Sequence, residues 1–153
     1  MSSERLLQAL DPVLKVLSTL DLSDPEGAKS GLDSQLPLED LEALRRLTVE
    51  GYEEGWLLPH ENGGVQYGRV EKDRAGWSVD AVLMSGPGPL HRHPKGEVDL
   101  LFTLSGEAEF DGHPEGWCVY GPDSTHVPTV RGGTMLILYF LPEGAIEFLQ
   151  QSS

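Results

Sequence analysis

Glycine is nearly absent from the first third of this chain and frequent in the rest, and that step limits the folds open to it. Sixteen of the eighteen glycines lie from Gly51 onward, with all five histidines and all three tryptophans. Glycine weakens helices and supplies the positive φ of tight turns. The chain therefore divides near residue 51 into a helical part and a part made of short strands and turns.

The first fifty residues carry apolar side chains at helical spacing. Leu6, Leu7, Leu10, Val13, Leu14 and Leu17 form one stripe. Asp11-Pro12 interrupts it, Asp11 suiting an N-cap and Pro12 a first helical position, so two short helices or one kinked helix are expected. Ser23–Gly27 reads as a turn in which Pro25 can also open a further short helix, and another helix is expected from Pro37 or Leu38 to about Glu53, stopped by Gly55. These stripes are too short for a coiled coil. Residues 1–55 are thus read as a helical segment packing on the following domain or on a partner subunit.

Residues 56–153 read as β structure. Glu61-Asn62-Gly63-Gly64 is a hairpin turn between Trp56–Leu58 and Val65–Glu71, and Trp77–Leu83 alternates as a half-buried strand. Strands over Glu97–Leu104 and Glu107–Phe110 flank an expected tight turn at Ser105-Gly106. Trp117–Tyr120 leads into a turn at Gly121–Ser124, Met135–Leu141 is a long apolar central strand, and Ala145–Leu149 is a candidate edge strand. Many short antiparallel strands at this spacing fit a closed or sandwiched β structure such as a jelly roll.

With 153 residues the chain is read as one domain, large enough for a core without disulfides. Its single cysteine, Cys118, sits in an apolar run and is expected to be a buried structural thiol. Net charge is −14, which argues against nucleic acid and anionic membranes as partners but leaves a small anionic substrate open. No secretory signal and no membrane-length apolar run is evident, so a cytoplasmic location is expected. A homodimer is expected because sheet edges and leucine stripes need cover.

The segment His91-Arg92-His93-Pro94-Lys95-Gly96-Glu97, with His126 beyond it, carries the chemistry. In an extended segment His91 and His93 point the same way. Pro94 and Gly96 can bend the chain so that Glu97 returns to the same centre, and His126 closes it from another strand. Three imidazoles and a carboxylate suffice for Fe, Mn, Ni, Cu or Zn. Four protein donors leave two positions on an octahedral ion, which fits Fe(II) or Mn(II) better than closed tetrahedral zinc; Zn and Ni remain open.

These residues resemble the two cupin motifs. Gly86, His91, His93, Glu97 and Gly106 follow the first, and Gly121, Asp123 and His126 follow the second more loosely, with Gly121 at the Pro position, Asp123 at the turn Gly, where aspartate tolerates a positive φ, and Val130 in place of the usual Asn. The resemblance implies a mainly β, cupin-type double-stranded β-helix, a jelly-roll barrel with an N-terminal helical segment. A closer one covers nearly the whole chain. Glu54–Leu57, Gly68–Val70, Gly88–Glu97, Ser124–Val130 and Leu141–Ile146 are similar to the bacterial 4-hydroxylaminobenzoate lyase family, associated with nitroaromatic degradation. It implies a metal-dependent lyase converting 4-hydroxylaminobenzoate to 3,4-dihydroxybenzoate and ammonia. Alternatives are a metal-dependent cupin oxygenase acting on a small aromatic or a thiol, and a non-catalytic small-molecule-binding cupin.

Glu97, His126, Arg69 and Tyr120 are the candidate catalytic residues. A substrate carboxylate calls for a bidentate cation, with Arg69 and Arg92 ahead of Lys95 and Arg131. Alternation turns Arg92 away from His91 and His93. Tyr120, Tyr139 and Trp77 can stack on a ring or belong to the core; His60 and Glu61 are an acid/base pair at the barrel mouth or simply solvated; His113 is a turn residue.

Overall fold

The computed structural model describes residues 3–149. Three helices come first: α1 (Ser3–Leu17), α2 (Pro25–Gln35) and α3 (Glu42–Glu54), the last entered through a 3-10 turn at Leu38–Leu41. Pro12 does not split α1, which runs through it, and Asp11 is no cap: its carboxylate pairs with Arg74 at 2.7 Å. Asp24 caps α2 by accepting from the Gly27 amide, with Pro25 in the first turn. Gly55 ends α3 at φ +90, a conformation glycine adopts without a Cβ penalty.

Nine strands follow: β1 (His60–Asn62), β2 (Val65–Arg74), β3 (Trp77–Met84), β4 (His91–His93), β5 (Glu97–Phe110), β6 (Gly116–Tyr120), β7 (Ser124–His126), β8 (Val130–Pro142) and β9 (Glu147–Phe148). They form a six-stranded sheet in the order β1-β2-β3-β8-β5-β6 and a three-stranded sheet β7-β4-β9, with antiparallel pairing throughout. Two antiparallel sheets, the large one joined by β8 lying between β3 and β5 and the small one centred on β4, make the cupin-type jelly roll.

Two expectations need correcting. Trp56–Leu58 is not a strand; the hairpin arm before Gly63-Gly64 is β1. Ser105-Gly106 is not a reversal, because β5 continues to Phe110 with register shifts against β8 on either side of it. A Cβ on Gly106 would lie 2.3 Å from the Gly132 carbonyl oxygen, so these glycines serve close approach of two strands rather than a turn.

The central strands of the large sheet are buried on both faces. Val79, Ala81, Val98, Leu100, Leu136, Leu138 and Phe140 share one core with the leucines of α1 to α3. The expected leucine stripes are therefore covered within the chain itself. The opposite face carries Met84, Leu101, Phe110, Cys118, Met135, Ile137 and Tyr139. Double burial accounts for the nearly unbroken apolar run of β8.

Candidate metal centre

Strand β4 places His91 and His93 on one face, and its register sets His91 opposite His126 of β7. After His93 the chain turns through Gly96, whose φ of +92 suits glycine, and a Cβ there would lie 2.9 Å from the Tyr120 carbonyl oxygen. Glu97 then opens β5 on the inner face of the large sheet. Asp123 sits at φ +63, a conformation aspartate tolerates, and its amide donates to the His93 carbonyl at 2.9 Å.

His91 Nε2 and His93 Nε2 lie 3.3 and 3.7 Å from Glu97 Oε1, and His126 Nε2 lies 3.9 Å from Glu97 Oε2. One donor atom from each residue falls within 4.8 Å of the others. Donors sharing an ion at about 2.1 Å stand roughly 3–4 Å apart, so the cluster matches one metal site with slight slack. The three Nε2 atoms and both Glu97 oxygens are buried with no hydrogen-bond partner. Leaving five such atoms unsatisfied is expensive unless something else binds them, and a divalent cation suits this donor set.

The far nitrogens are engaged. His91 Nδ1 lies 3.2 Å from the Pro89 carbonyl oxygen and His93 Nδ1 2.7 Å from Ser124 Oγ. Ser124 donates its own proton to the Gly121 carbonyl at 2.6 Å, so its oxygen accepts from His93 Nδ1–H. That tautomer leaves the His93 Nε2 lone pair facing the centre. Burial, with the neighbouring His91 and His126, pulls His93 down to about 4 despite the attraction of Glu97, keeping it in the neutral form that ligates.

Two acids that the motif reading passed over belong to the centre. Asp99 follows Glu97 on the same face and is wholly buried. Burial, then the Glu97 charge, raises its carboxyl well above the usual range. A lone acid in the apolar run Val98–Leu101, two residues after a ligand, was the sequence signal for it. Asp111 takes hydrogen bonds from the Tyr120 hydroxyl at 2.5 Å, the Thr129 amide at 2.9 Å and His126 Nδ1 at 2.7 Å. Nothing in the turn sequence Asp111–Pro114 distinguishes it.

Of the remaining candidates, Tyr120 borders the centre, its ring 4.3 Å from that of His126 and 5.4 Å from that of His93. Arg69 is reached through the sheet register Arg69–Asp80–Tyr139–Asp99, a row that shares the inner face. Asp80 holds its Nε and Nη2 at 2.7 and 3.1 Å. Arg92 points outward, paired with Asp123 and Glu147, and Lys95 pairs with Glu143. Trp77 packs on the helical side and Tyr139 is buried beside Met84, while His60 and Glu61 are exposed on edge strand β1. His113 bridges Phe110 in the turn. Phe148, overlooked in the sequence, is 66% exposed, pairs with His91 in the small sheet and sets its ring 6.1 Å from that imidazole.

The family model for PnbB, 4-hydroxylaminobenzoate lyase, matches residues 33–148. The chain belongs to the 4-hydroxylaminobenzoate lyase family. A 4-hydroxylaminobenzoate lyase of Nocardioides sp. (strain LMS-CY) is 34% identical over 72% of this chain and 73% of its own, and one of Pseudomonas putida is 28% identical over 72% and 74%. Among solved structures, an RmlC-like cupin of Ralstonia eutropha JMP134 aligns over 59% of this chain at 15% identity and a TM-score of 0.44. That match spans 62% of the Ralstonia protein, less than two thirds of it. An RmlC-like cupin of Shewanella frigidimarina NCIMB 400 aligns over 54% of this chain and 80% of its own at 18% identity and a TM-score of 0.41. Membership of the lyase family makes the chain an enzyme of lyase type.

Proposed function

We propose that this enzyme converts 4-hydroxylaminobenzoate to 3,4-dihydroxybenzoate and ammonia at the inner-face cluster, with a divalent metal, Fe(II) or Mn(II) in preference to Zn(II) or Ni(II). The observation that carries the reading is the convergence of three buried, partnerless imidazole nitrogens on a buried carboxylate in a chain of this family. The reaction takes up one water. The N–O and C–N bonds and one ring C–H bond break, and two ring C–O bonds form. The two electrons lost by ring carbon reduce the nitrogen, so no external oxidant or reductant is needed.

An ion held by His91, His93, Glu97 and His126 would supply Lewis acidity toward the hydroxylamine oxygen and toward a water. The chain's other residues bind and orient. Arg69 is assigned to the substrate carboxylate: among the described lysines and arginines, sheet register sets it on the inner face in the row of Asp99, and Asp80 leaves its Nη1 for a second carboxylate. Three strand spacings, about 14 Å, separate Arg69 from Asp99 at the backbone. The guanidinium is held by Asp80, one strand nearer to Asp99. Phe148 offers the ring an apolar contact beside His91, and Tyr120 walls the centre with its hydroxyl committed to Asp111. A small anionic aromatic ligand suits these groups, and the charge of −14 argues against nucleic acid as a partner.

The test is anaerobic turnover by metal-reconstituted protein, following ammonia and 3,4-dihydroxybenzoate together. One-to-one release without oxygen is expected. Product formation that requires stoichiometric oxygen uptake would replace the lyase with an oxygenase, and full metal loading without ammonia from any arylhydroxylamine would replace it with a binding protein.

A further inference from the structure

His126 is the least protected member of the cluster. Its side chain keeps 14% of its exposure, against 4% for His91 and none for His93, and it sits on a three-residue strand. The groups around it are unusually well fixed. Asp111 donates its backbone amide to the Thr129 carbonyl at 2.8 Å and receives the Thr129 amide on Oδ1 at 2.9 Å. The reciprocal pair ties the turn after β5 to the segment just past His126. It leaves Oδ2 facing two donors at once, Tyr120 Oη at 2.5 Å and His126 Nδ1 at 2.7 Å. Asp111 itself sits at φ +50, a left-handed conformation that aspartate tolerates better than most residues.

We infer that Asp111 is the positioning residue of this centre: it fixes His126 with the proton on Nδ1 and the lone pair on Nε2, so that His126 can serve as a ligand. The inference rests on the reading of the cluster as a metal site. An ionised carboxylate only accepts, so every group facing Asp111 must donate, and the sole tautomer that can do so carries its proton on Nδ1. The carboxylate's acceptor positions are taken by His126, Tyr120 and the Thr129 amide. Partners of this kind set ring orientation and ligand basicity in metal sites.

Asp111→Asn has nearly the same shape but cannot meet these demands. With its oxygen toward the Thr129 amide, the NH2 group faces both Tyr120 and His126 and favours the imidazole protonated on Nε2, which cannot ligate. With the amide flipped, its NH2 group opposes the Thr129 N–H. Tyr120→Phe removes the phenol hydrogen bond and keeps the carboxylate–imidazole pair.

The experiment is Co(II) affinity by chelator competition for the wild type, Asp111→Asn and Tyr120→Phe, with thermal melts of the metal-stripped proteins. Asp111→Asn should lose about 10–100-fold in affinity, with its stripped melt close to wild type and Tyr120→Phe within about threefold of wild type. Wild-type affinity in Asp111→Asn overturns the inference, and so does an equal loss in both variants. Should Asp111→Asn fail to fold, nitrogen-15 shifts of His126 in stripped wild-type protein at neutral pH decide: a protonated Nδ1 supports the assignment and a protonated Nε2 overturns it. None of these readouts uses turnover, so an error about the substrate leaves them unaffected. Wild-type protein that takes up no Co(II) contradicts the metal reading, and the nitrogen-15 shifts then still decide the tautomer.

Discussion

Along β8, Leu136, Leu138 and Phe140 face the helices, while Met135, Ile137 and Tyr139 face the small sheet. On the helical face β5 continues this pattern with Val98, Leu100 and Phe102; on the other it contributes Glu97, Asp99 and Leu101. One face maximises apolar contact. The other buries two acids and, across from them, three imidazoles. The same strands thus carry an apolar core on one side and the candidate metal centre on the other, and period-two alternation keeps the two apart. Burying polar groups without partners costs stability, which the helical face has to offset.

The widest separation between the faces comes from deleting a ligand. His93→Ala should leave no retained metal and no ammonia release, measured by metal analysis and turnover, while its stripped protein still folds. Metal retained at full occupancy would break the four-ligand account. Phe140→Ala on the opposite face should lower unfolding stability by about 3–5 kcal/mol, measured by urea denaturation, with unchanged metal stoichiometry in the folded fraction. Loss of metal without loss of stability there would show that the faces are not independent.

Smaller effects map the inner face more finely. Arg69→Met should raise KM for the carboxylate-bearing substrate by about 10–100-fold, the value of one charged hydrogen-bonding contact, and leave metal affinity alone. Phe148→Ala should raise KM by about 3–10-fold, as expected for one aromatic contact, with partial recovery in Phe148→Leu.

The inner face also predicts a slope with pH. Because His93 titrates at about 4 in the folded chain against about 6.5 unfolded, the unfolded state binds the extra proton between those values. The stability of metal-stripped protein should therefore be full above about pH 6.5 and decline toward pH 4, as followed by thermal melts. His93→Gln should flatten that decline.

Much of this contrast was legible in the sequence. Leucine spacing gave the helices, the Met135–Leu141 run gave the central strand, and His91, His93 and Glu97 declared the centre within seven residues. What stayed hidden depends on contacts between distant segments. Asp111 and Phe148 reach the centre only through cross-strand register and loop pairing, and local composition encodes neither. Ser105-Gly106 misled because a glycine that admits a neighbouring strand has the same local signature as one that makes a turn.

The central claim is that His91, His93, Glu97 and His126 hold one metal ion and that turnover depends on it. Titrating Mn(II) or Fe(II) anaerobically into chelator-stripped protein, with bound metal and initial ammonia release read on the same samples, tests both parts. The rate should rise in proportion to occupancy and level off at one ion per chain. Full ammonia release by the stripped protein, or a rate indifferent to occupancy, would contradict the account.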